Sequence, residues 1–182
     1  MLTTPRARAL KSLLFILLAF AALLARAQTS SVSEQTLKAV LYFKLPLFVY
    51  QQSSDKRAKI GICTLGDAPL GSAPDKLPSK LADGRRVEFK AITDTNNANE
   101  CEFIFIGQSE TRKLDTHLRN LQGRRLVTVS DIEGFGSAGG MVEFALRSDG
   151  SGIQILINRK AAQKHGIEFN AQLLRLAKLV ES

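Results

Sequence analysis

The sequence predicts an α/β fold, a single three-layer domain with a mostly parallel sheet and flanking helices. Short apolar segments alternate with segments of helical periodicity over most of the chain, which is typical of parallel strands joined by helices. After a glycine-rich segment that begins at Gly134, two apolar segments follow each other with only a Ser/Gly loop between them. This second pattern predicts an antiparallel hairpin, at about residues 141–158, on the edge of the sheet.

The N-terminal residues have the features of a secretory signal peptide. Basic residues at positions 6, 8 and 11 precede an apolar run from Leu13 to Ala25, and Ala25 and Ala27 form an A-x-A-type cleavage site. The apolar run is shorter than the roughly 20 residues that a membrane-spanning helix needs. We therefore expect residues 1–27 to be removed and residues 28–182 to form one exported domain.

The first half of the mature chain reads as helix, strand, short helix and strand. Ser31 and Glu34 form a capping-box pattern before an amphipathic helix that Pro46 ends or kinks. The segments that follow are, in order, a strand at 58–65, a glycine turn at 66–71, a short helix at 74–81, a strand at 87–92 and a polar loop or weak helical turn at 94–100.

The second half begins with the strongest strand pattern in the chain, the Ile- and Phe-rich residues 101–107. The remaining predicted elements are a helix at 109–121, a strand at 126–129, the two hairpin strands, a short helix at 159–164 and a closing helix at 170–180. Asn170 is placed to cap that last helix, with Leu173, Leu174, Ala177 and Val180 on its buried face.

The segment from Gly134 to Gly139 matches the GxGxxG pattern of dinucleotide-binding folds. That pattern binds pyrophosphate only where the glycines lead directly from a strand into the N-terminus of a helix. Here a strand follows, and Asp131 and Glu133 would repel phosphate. The segment is therefore interpreted as a tight glycine-rich loop, in which φ > 0 is available.

The composition favours neither nucleic-acid binding nor catalysis. Removal of Arg6, Arg8, Lys11 and Arg26 would lower the formal net charge from +8 to +4, and the remaining cations are scattered pairs without the stacking rings of a nucleic-acid platform. The carboxylates of Asp131, Glu133 and Glu143 could pair for acid–base chemistry, but exposed loop carboxylates are far commoner. His117 and His165 are interpreted as surface residues, and no metal-ligand spacing is present.

The chain has two cysteines, Cys63 and Cys101, and an even number in an exported protein suggests one disulfide. Cys63 lies late in its predicted strand and Cys101 at the start of its own. In a parallel sheet these positions are staggered, so the sequence leaves the geometry of a bridge open.

The C-terminal half contains a characteristic series of segments, namely a strand that ends in Thr128-Val-Ser-Asp131, Gly134-Phe135, Gly139-Gly-Met141, a strand that ends in Ile157-Asn158, and Leu173-Leu-Arg-Leu-Ala177. In this series the chain resembles the YfiR family of bacterial periplasmic proteins. Earlier segments agree, including Cys63-Thr-Leu-Gly-Asp67 and the Cys101 strand, so the resemblance covers nearly all of the mature chain.

The resemblance implies a regulator without enzyme activity or cofactor. It implies a periplasmic homodimer that binds the periplasmic sensor domain of an inner-membrane diguanylate cyclase and holds it inactive, thereby controlling cyclic-di-GMP and biofilm formation. An outer-membrane lipoprotein would release this repression, and the family's disulfide maps onto Cys63 and Cys101. The candidate binding residues are Ser130, Asp131, Phe135, Gly139, Gly140 and Asn158. The alternative is a periplasmic protein that binds a small anion or metabolite at the loop, since main-chain N–H groups in such loops can bind anions.

Overall fold

The computed structural model describes residues 34–51, 58–150 and 152–181, and the predicted signal peptide lies outside these ranges. Within them, no helix is long and apolar enough to cross a membrane. The strands are β1 Val49–Gln51, β2 Lys59–Leu65, β3 Arg86–Ile92, β4 Phe103–Ile106, β5 Val127–Ser130, β6 Val142–Leu146, β7 Ile153–Asn158, β8 Ile167–Phe169 and β9 Lys178–Val180. The helices are α1 at 34–44, α2 Leu114–Asn120, α3 Arg159–Lys164 and α4 Ala171–Leu176.

Seven strands form one sheet in the order β3-β2-β4-β5-β6-β7-β9. All neighbouring strands run parallel except β6 and β7, which form the predicted antiparallel hairpin. Strands β4 and β5 are buried at every position, as expected for central strands covered on both faces. The α/β fold class is confirmed.

Helices cover both faces of this sheet and create two apolar cores, which gives the predicted three layers. One core contains Tyr42 of α1, Phe105 of β4 and Ala161 of α3. The other contains Ile104 of β4 together with Leu114, where α2 begins. Consecutive residues of β4 therefore supply opposite cores, as the two-residue period of a strand requires.

Two helices are shorter or less regular than the periodicity predicts. The segment 74–81 has only the 3₁₀ turn Pro74–Lys76, and Lys80 then forms a bridge with Arg86. The segment 109–121 begins as a 3₁₀ helix, Gln108–Lys113, before α2. The polar segment Thr95–Glu100 forms 3₁₀ turns capped by the side chain of Asp94, which agrees with the weak helical turn predicted there.

The prediction of one closing helix at 170–180 is wrong beyond Leu176. Asn170 caps α4 as expected, because its Oδ1 accepts the Leu173 N–H at 2.9 Å. The chain becomes extended at Ala177, with φ −91° and ψ 153°, and continues as β9 beside β7. The outermost strand on this side of the sheet is therefore β9, and the hairpin is one strand further in.

A small antiparallel sheet, β1 with β8, is also absent from the sequence prediction. Each of its strands has only three residues, too few for a periodicity to be read.

Candidate functional site

The candidate site is the segment 131–140, here called the glycine loop, which connects β5 to β6. The hydroxyl of Ser130, at the end of β5, donates to the Ile106 carbonyl at 2.6 Å and accepts the Ile132 N–H at 3.0 Å. Ser130 is completely buried, so its hydroxyl serves main-chain groups of the protein itself. The loop therefore leaves the sheet in a fixed direction.

A buried ion pair joins the first residue of the loop to α1. The Nζ of Lys38 lies 2.7 Å from Oδ2 of Asp131, and both side chains are less than one-tenth exposed. The Oδ1 atom of Asp131 is buried without a hydrogen-bond partner. Because a buried carboxylate is costly without a counter-charge, Asp131 depends on Lys38 for its place in the fold.

Glu143 and Asn158 hold the middle of the loop from the hairpin strands. The two carboxylate oxygens of Glu143 accept the N–H groups of Gly134 at 3.1 Å and Gly136 at 2.9 Å. The amide of Asn158 donates to the Gly136 carbonyl at 2.8 Å, and its oxygen caps α3 by accepting the Ala161 N–H at 2.9 Å. Main-chain N–H groups that could bind an external anion are thus bound to a carboxylate of the chain itself.

The aromatic residue of the loop is part of the core. Phe135 is completely buried in the apolar cluster on the α2 side of the sheet. A Cβ atom on Gly140 would lie only 2.1 Å from the Phe135 ring, so the ring packs directly on the main chain there. Gly139, with φ 104°, makes the preceding turn in a conformation that favours glycine.

The structure brings the six candidate binding residues together, but mostly below the surface. Ser130, Phe135, Gly140 and Asn158 are buried and Asp131 is paired, while Gly139 is partly exposed. The residues of the loop that face solvent are Glu133, Gly134, Ser137 and Ala138.

Sequence reasoning missed Lys38 and Glu143 as members of this network. Lys38 had a detectable signal, since it has the i, i+4, i+7 spacing with Tyr42 and Leu45 that marks a buried helical stripe. The signal for Glu143 is the alternation of residues along β6, which places Glu143 on the face opposite to Val142 and Phe144.

The polar groups of the loop also differ from a catalytic arrangement. The carboxylates of Asp131 and Glu143 are engaged in the contacts above, whereas Glu133 is exposed. Among the described residues, no group of three or more His, Cys, Asp or Glu side chains could hold a metal ion. The loop is thus a structural junction between α1, β5, β6 and β7.

A sequence profile of the DUF4154 family, described as YfiR/HmsC-like, matches residues 35–178. The match covers more than half of the chain and nearly all of the described domain. The chain belongs to the YfiR/HmsC-like family. The proteins of this family are periplasmic regulators in diguanylate cyclase signalling, in agreement with the resemblance derived from the sequence.

Solved structures resemble this YfiR/HmsC-like chain at low sequence identity. One is the ABC domain in complex with L-Trp from Streptococcus pneumoniae, with a TM-score of 0.54, 14% identity and coverage of 81% of this chain. Another is a conserved domain protein from Vibrio cholerae, with a TM-score of 0.49, 12% identity and coverage of 82% of this chain. The chain spans 60% of the length of each. The first likeness supports the α/β fold alone.

The YfiR/HmsC-like chain has the predicted disulfide, and Gly61 explains its geometry. Cys63 and Cys101 are bonded with their Cα atoms 5.7 Å apart. A Cβ atom on Gly61 would lie 1.9 Å from the Glu100 carbonyl oxygen. The absence of that atom lets Glu100 lie directly against β2 at Gly61, which brings Cys101 onto the face where Cys63 lies. The two cysteines are bonded although the ladder pairs Cys63 with Ile104.

The histidines of this family member differ from the prediction that both are surface residues. His117 is 7% exposed, and its Nε2 lies 2.8 Å from Oε2 of Glu110. That hydrogen bond lowers the pKa of the Glu110 carboxyl below its usual range. His165 is partly buried, with its Nδ1 2.9 Å from the Arg124 carbonyl oxygen. Both rings therefore stabilise neighbouring segments of the fold.

A groove of about 390 Å³ lies beside the glycine loop. Its walls are the end of α2, the loop around Gly139, and α3 with the adjoining His165, while Thr128 contributes from β5. Of the candidate binding residues, Gly139 lines this groove and reaches an open surface there.

Proposed function

We propose that the chain is an exported periplasmic regulator that binds the periplasmic sensor domain of an inner-membrane diguanylate cyclase and holds the enzyme inactive. The observation that carries this proposal is the family match across residues 35–178. The family assignment favours this function over the small-ligand alternative. The glycine loop agrees with it, because the carboxylates of Asp131 and Glu143 stabilise the fold instead of facing a substrate.

The candidate binding residues act, in this proposal, by fixing the shape of a neighbouring contact surface. The loop adjoins the outermost strand, since a Cβ atom on Gly136 would lie 2.7 Å from Cγ2 of Val180 in β9. Asn158 pairs with Val180 across the sheet and also bonds the Gly136 carbonyl. Ser130, Asp131, Phe135, Gly139 and Gly140 keep the loop in the conformation that supports this contact.

Deletion of the gene tests the repression directly. Loss of an inhibitor leaves the cyclase active, so cellular cyclic-di-GMP is expected to rise and to return to its original level when the gene is restored. A restored gene that lacks residues 1–27 is the matched control, because its product stays in the cytoplasm. Unchanged cyclic-di-GMP across several growth conditions would refute the repression.

We also propose that the exported chain forms a homodimer and that an outer-membrane lipoprotein relieves repression by sequestering it. Light scattering of the purified chain is expected to give twice the mass of the mature monomer. A monomer mass at micromolar concentration contradicts the dimer. Co-purification of the chain with outer-membrane lipoproteins, compared between repressing and activating growth conditions, tests the sequestration.

A further inference from the structure

The C-terminal end of the sheet exposes apolar side chains, although most leucine, isoleucine and valine residues in the described part of the chain are buried. Leu146 at the end of β6, Leu176 at the end of α4 and Leu179 in β9 are 58%, 72% and 50% exposed. Contiguous apolar surface of this kind on a folded domain marks an interaction site more often than isolated exposed leucines do.

The strand register places two of these leucines, Leu146 and Leu179, on one face of the sheet together with Ile153 and Ile155 of β7. Leu146 pairs with Ile153, and Ile155 lies two residues further along β7 on the same face. Leu179 pairs with Ile157 and therefore lies on that face next to Ile155. We call this the C-terminal surface, and it consists of Leu146, Leu179 and the partly buried Ile153 and Ile155, together with Leu176, which ends α4 three residues before Leu179.

The same region has an open strand edge. β9 covers β7 only from Leu156 to Asn158. The hairpin ladder bonds Gly152 and Asn158 to β6, so alternation directs the main-chain groups of Ile153 to the opposite side of β7. Within the described residues, no strand pairs with Ile153 on that side or with the outer side of β9. An edge of this kind is suited to contact with another protein chain.

The charge around the C-terminal surface is mainly positive. Each exposed leucine has an exposed basic neighbour in the chain, namely Arg147 for Leu146, Arg175 for Leu176 and Lys178 for Leu179. In β9 the side chain of Lys178 points to the face opposite to Leu179, so it lies beside the open strand edge and not among the apolar side chains. Of the acidic residues in the adjoining segments, Glu181 is paired with Lys160 at 3.0 Å, and Asp149 is exposed in the hairpin loop beside Arg147. Three basic residues therefore stand against one acidic residue outside that pair.

This charge distribution favours one of two possible binding partners, a second copy of the chain or a different, acidic protein. A second copy bound through a two-fold axis would place the same patch on both sides and bring these cations together. A protein with carboxylates around an apolar centre would instead be complementary in charge and steered toward the surface.

We propose that the C-terminal surface is a docking site for an acidic partner protein with an apolar centre. The inference rests on the proposed function, in which that partner is the sensor domain of the cyclase. Leu176 and Leu179 supply apolar contacts, Arg175 and Lys178 supply the charge complementarity, and the glycine loop holds β9 in place through Val180. The homodimer uses a different surface.

Site-specific photo-crosslinking of the full chain in the periplasm identifies the occupant. A photoreactive phenylalanine analogue replaces Leu179, and the matched control replaces Leu37, an exposed leucine of α1. Position 179 is expected to give an adduct with the periplasmic domain of the cyclase, and position 37 is expected to give none. An adduct with a second copy of the chain, or no adduct from position 179, overturns the docking site.

Substitutions then test the chemistry, with binding measured on the purified periplasmic domain of the crosslinked cyclase. Leu176→Glu/Leu179→Glu and Arg175→Glu/Lys178→Glu are each expected to raise Kd at least tenfold, whereas Leu37→Glu changes it less than twofold. Added salt weakens binding of the unsubstituted chain more than that of the charge-reversed variant. A Kd within twofold of the original for both double variants, with unchanged Tm, contradicts the proposal.

The two proposals can fail separately. If deletion of the gene raises cyclic-di-GMP but Leu176→Glu/Leu179→Glu restores full repression, the docking site is wrong and the function stands. If position 179 crosslinks instead to a different acidic protein, and Arg175→Glu/Lys178→Glu removes that adduct, the docking site stands and the cyclase function is wrong.

Discussion

The glycine loop and the C-terminal surface are neighbours in the fold, but they relate composition to solvent exposure in opposite ways. The loop is rich in polar and glycine residues, yet its Asp131 and Phe135 side chains are buried. Lys38, Glu143 and Asn158 bond to the loop from the rest of the fold. The C-terminal surface is made of leucine and isoleucine, yet it is half open to solvent. A polar motif in the sequence has become a structural support, and an apolar segment has become the exposed surface.

The difference shows that residue type alone is a poor guide to the binding surface. Asp131 and Asn158 look like ligand-binding residues in sequence, but each has a partner within the chain. Leu179 lies in the segment that the sequence predicts as the closing helix, but it belongs to the outermost strand. Substitutions in the loop are therefore expected to act on stability, and those on the C-terminal surface to act on binding.

The largest loss of stability in the loop is expected for Phe135→Ala. Removing a completely buried ring leaves a cavity, and the free energy of unfolding should fall by about 3–5 kcal/mol. Urea denaturation followed by circular dichroism measures the change. Phe135→Leu is the matched variant, with an expected loss of less than half as much. A loss under about 1 kcal/mol for Phe135→Ala would show that the ring is not part of the core.

The disulfide lies outside both regions, and its removal is expected to lower stability by a similar amount. Cys63→Ala/Cys101→Ala opens a covalent link between residues separated by 38 positions. The chain-entropy model gives a loss of about 4 kcal/mol. Chemical reduction of the unsubstituted chain should lower the free energy of unfolding similarly. Two reactive thiols in the native, unreduced protein would contradict the bridge.

Lys38→Met tests the link between α1 and the loop. It leaves the Asp131 carboxylate buried without its counter-charge, so the free energy of unfolding is expected to fall by about 3 kcal/mol. Lys44→Met, at an exposed position of the same helix, should change it by less than about 0.5 kcal/mol. If the two variants lower the melting temperature equally, the ion pair between Lys38 and Asp131 makes no specific contribution to stability.

Glu143→Gln is expected to have a smaller effect, about 1–2 kcal/mol. The substituted side chain keeps one oxygen for the loop N–H groups and turns a donor toward the other, so one charge-assisted hydrogen bond is lost. Amide hydrogen exchange at Gly134 and Gly136 should become faster. Glu133→Gln, at an exposed position of the same loop, is the control and should leave both exchange rates unchanged.

The smallest effect on stability is expected on the C-terminal surface. Leu179 is half exposed, so Leu179→Ala should lower the free energy of unfolding by less than about 1 kcal/mol. Leu173→Ala, at a buried position of α4, should cost about 2–4 kcal/mol. If Leu179→Ala costs as much as Leu173→Ala, then Leu179 is a core residue and the contrast between the two regions disappears.

The sequence predicted most of the parallel sheet, because strands such as β4 and β5 are continuous apolar segments bounded by turn residues. It also predicted the hairpin and the Asn170 cap, both of which depend on neighbouring residues. It missed β9, because the Leu- and Ala-rich residues 173–180 have good helical propensity, and pairing with β7 overrides that propensity. Likewise, the spacing of Lys38 within α1 shows its burial but gives no sign of its partner at position 131.

The sequence by itself determined the family, the alternation of strands and helices, and the identity of the loop, because these depend on residue patterns over short distances. Only the tertiary structure decided which residues are accessible. Burial depends on contacts between residues far apart in the chain, such as Lys38 with Asp131 and Gly136 with Val180. The same contacts turned a loop with the composition of a binding site into the support of an apolar surface.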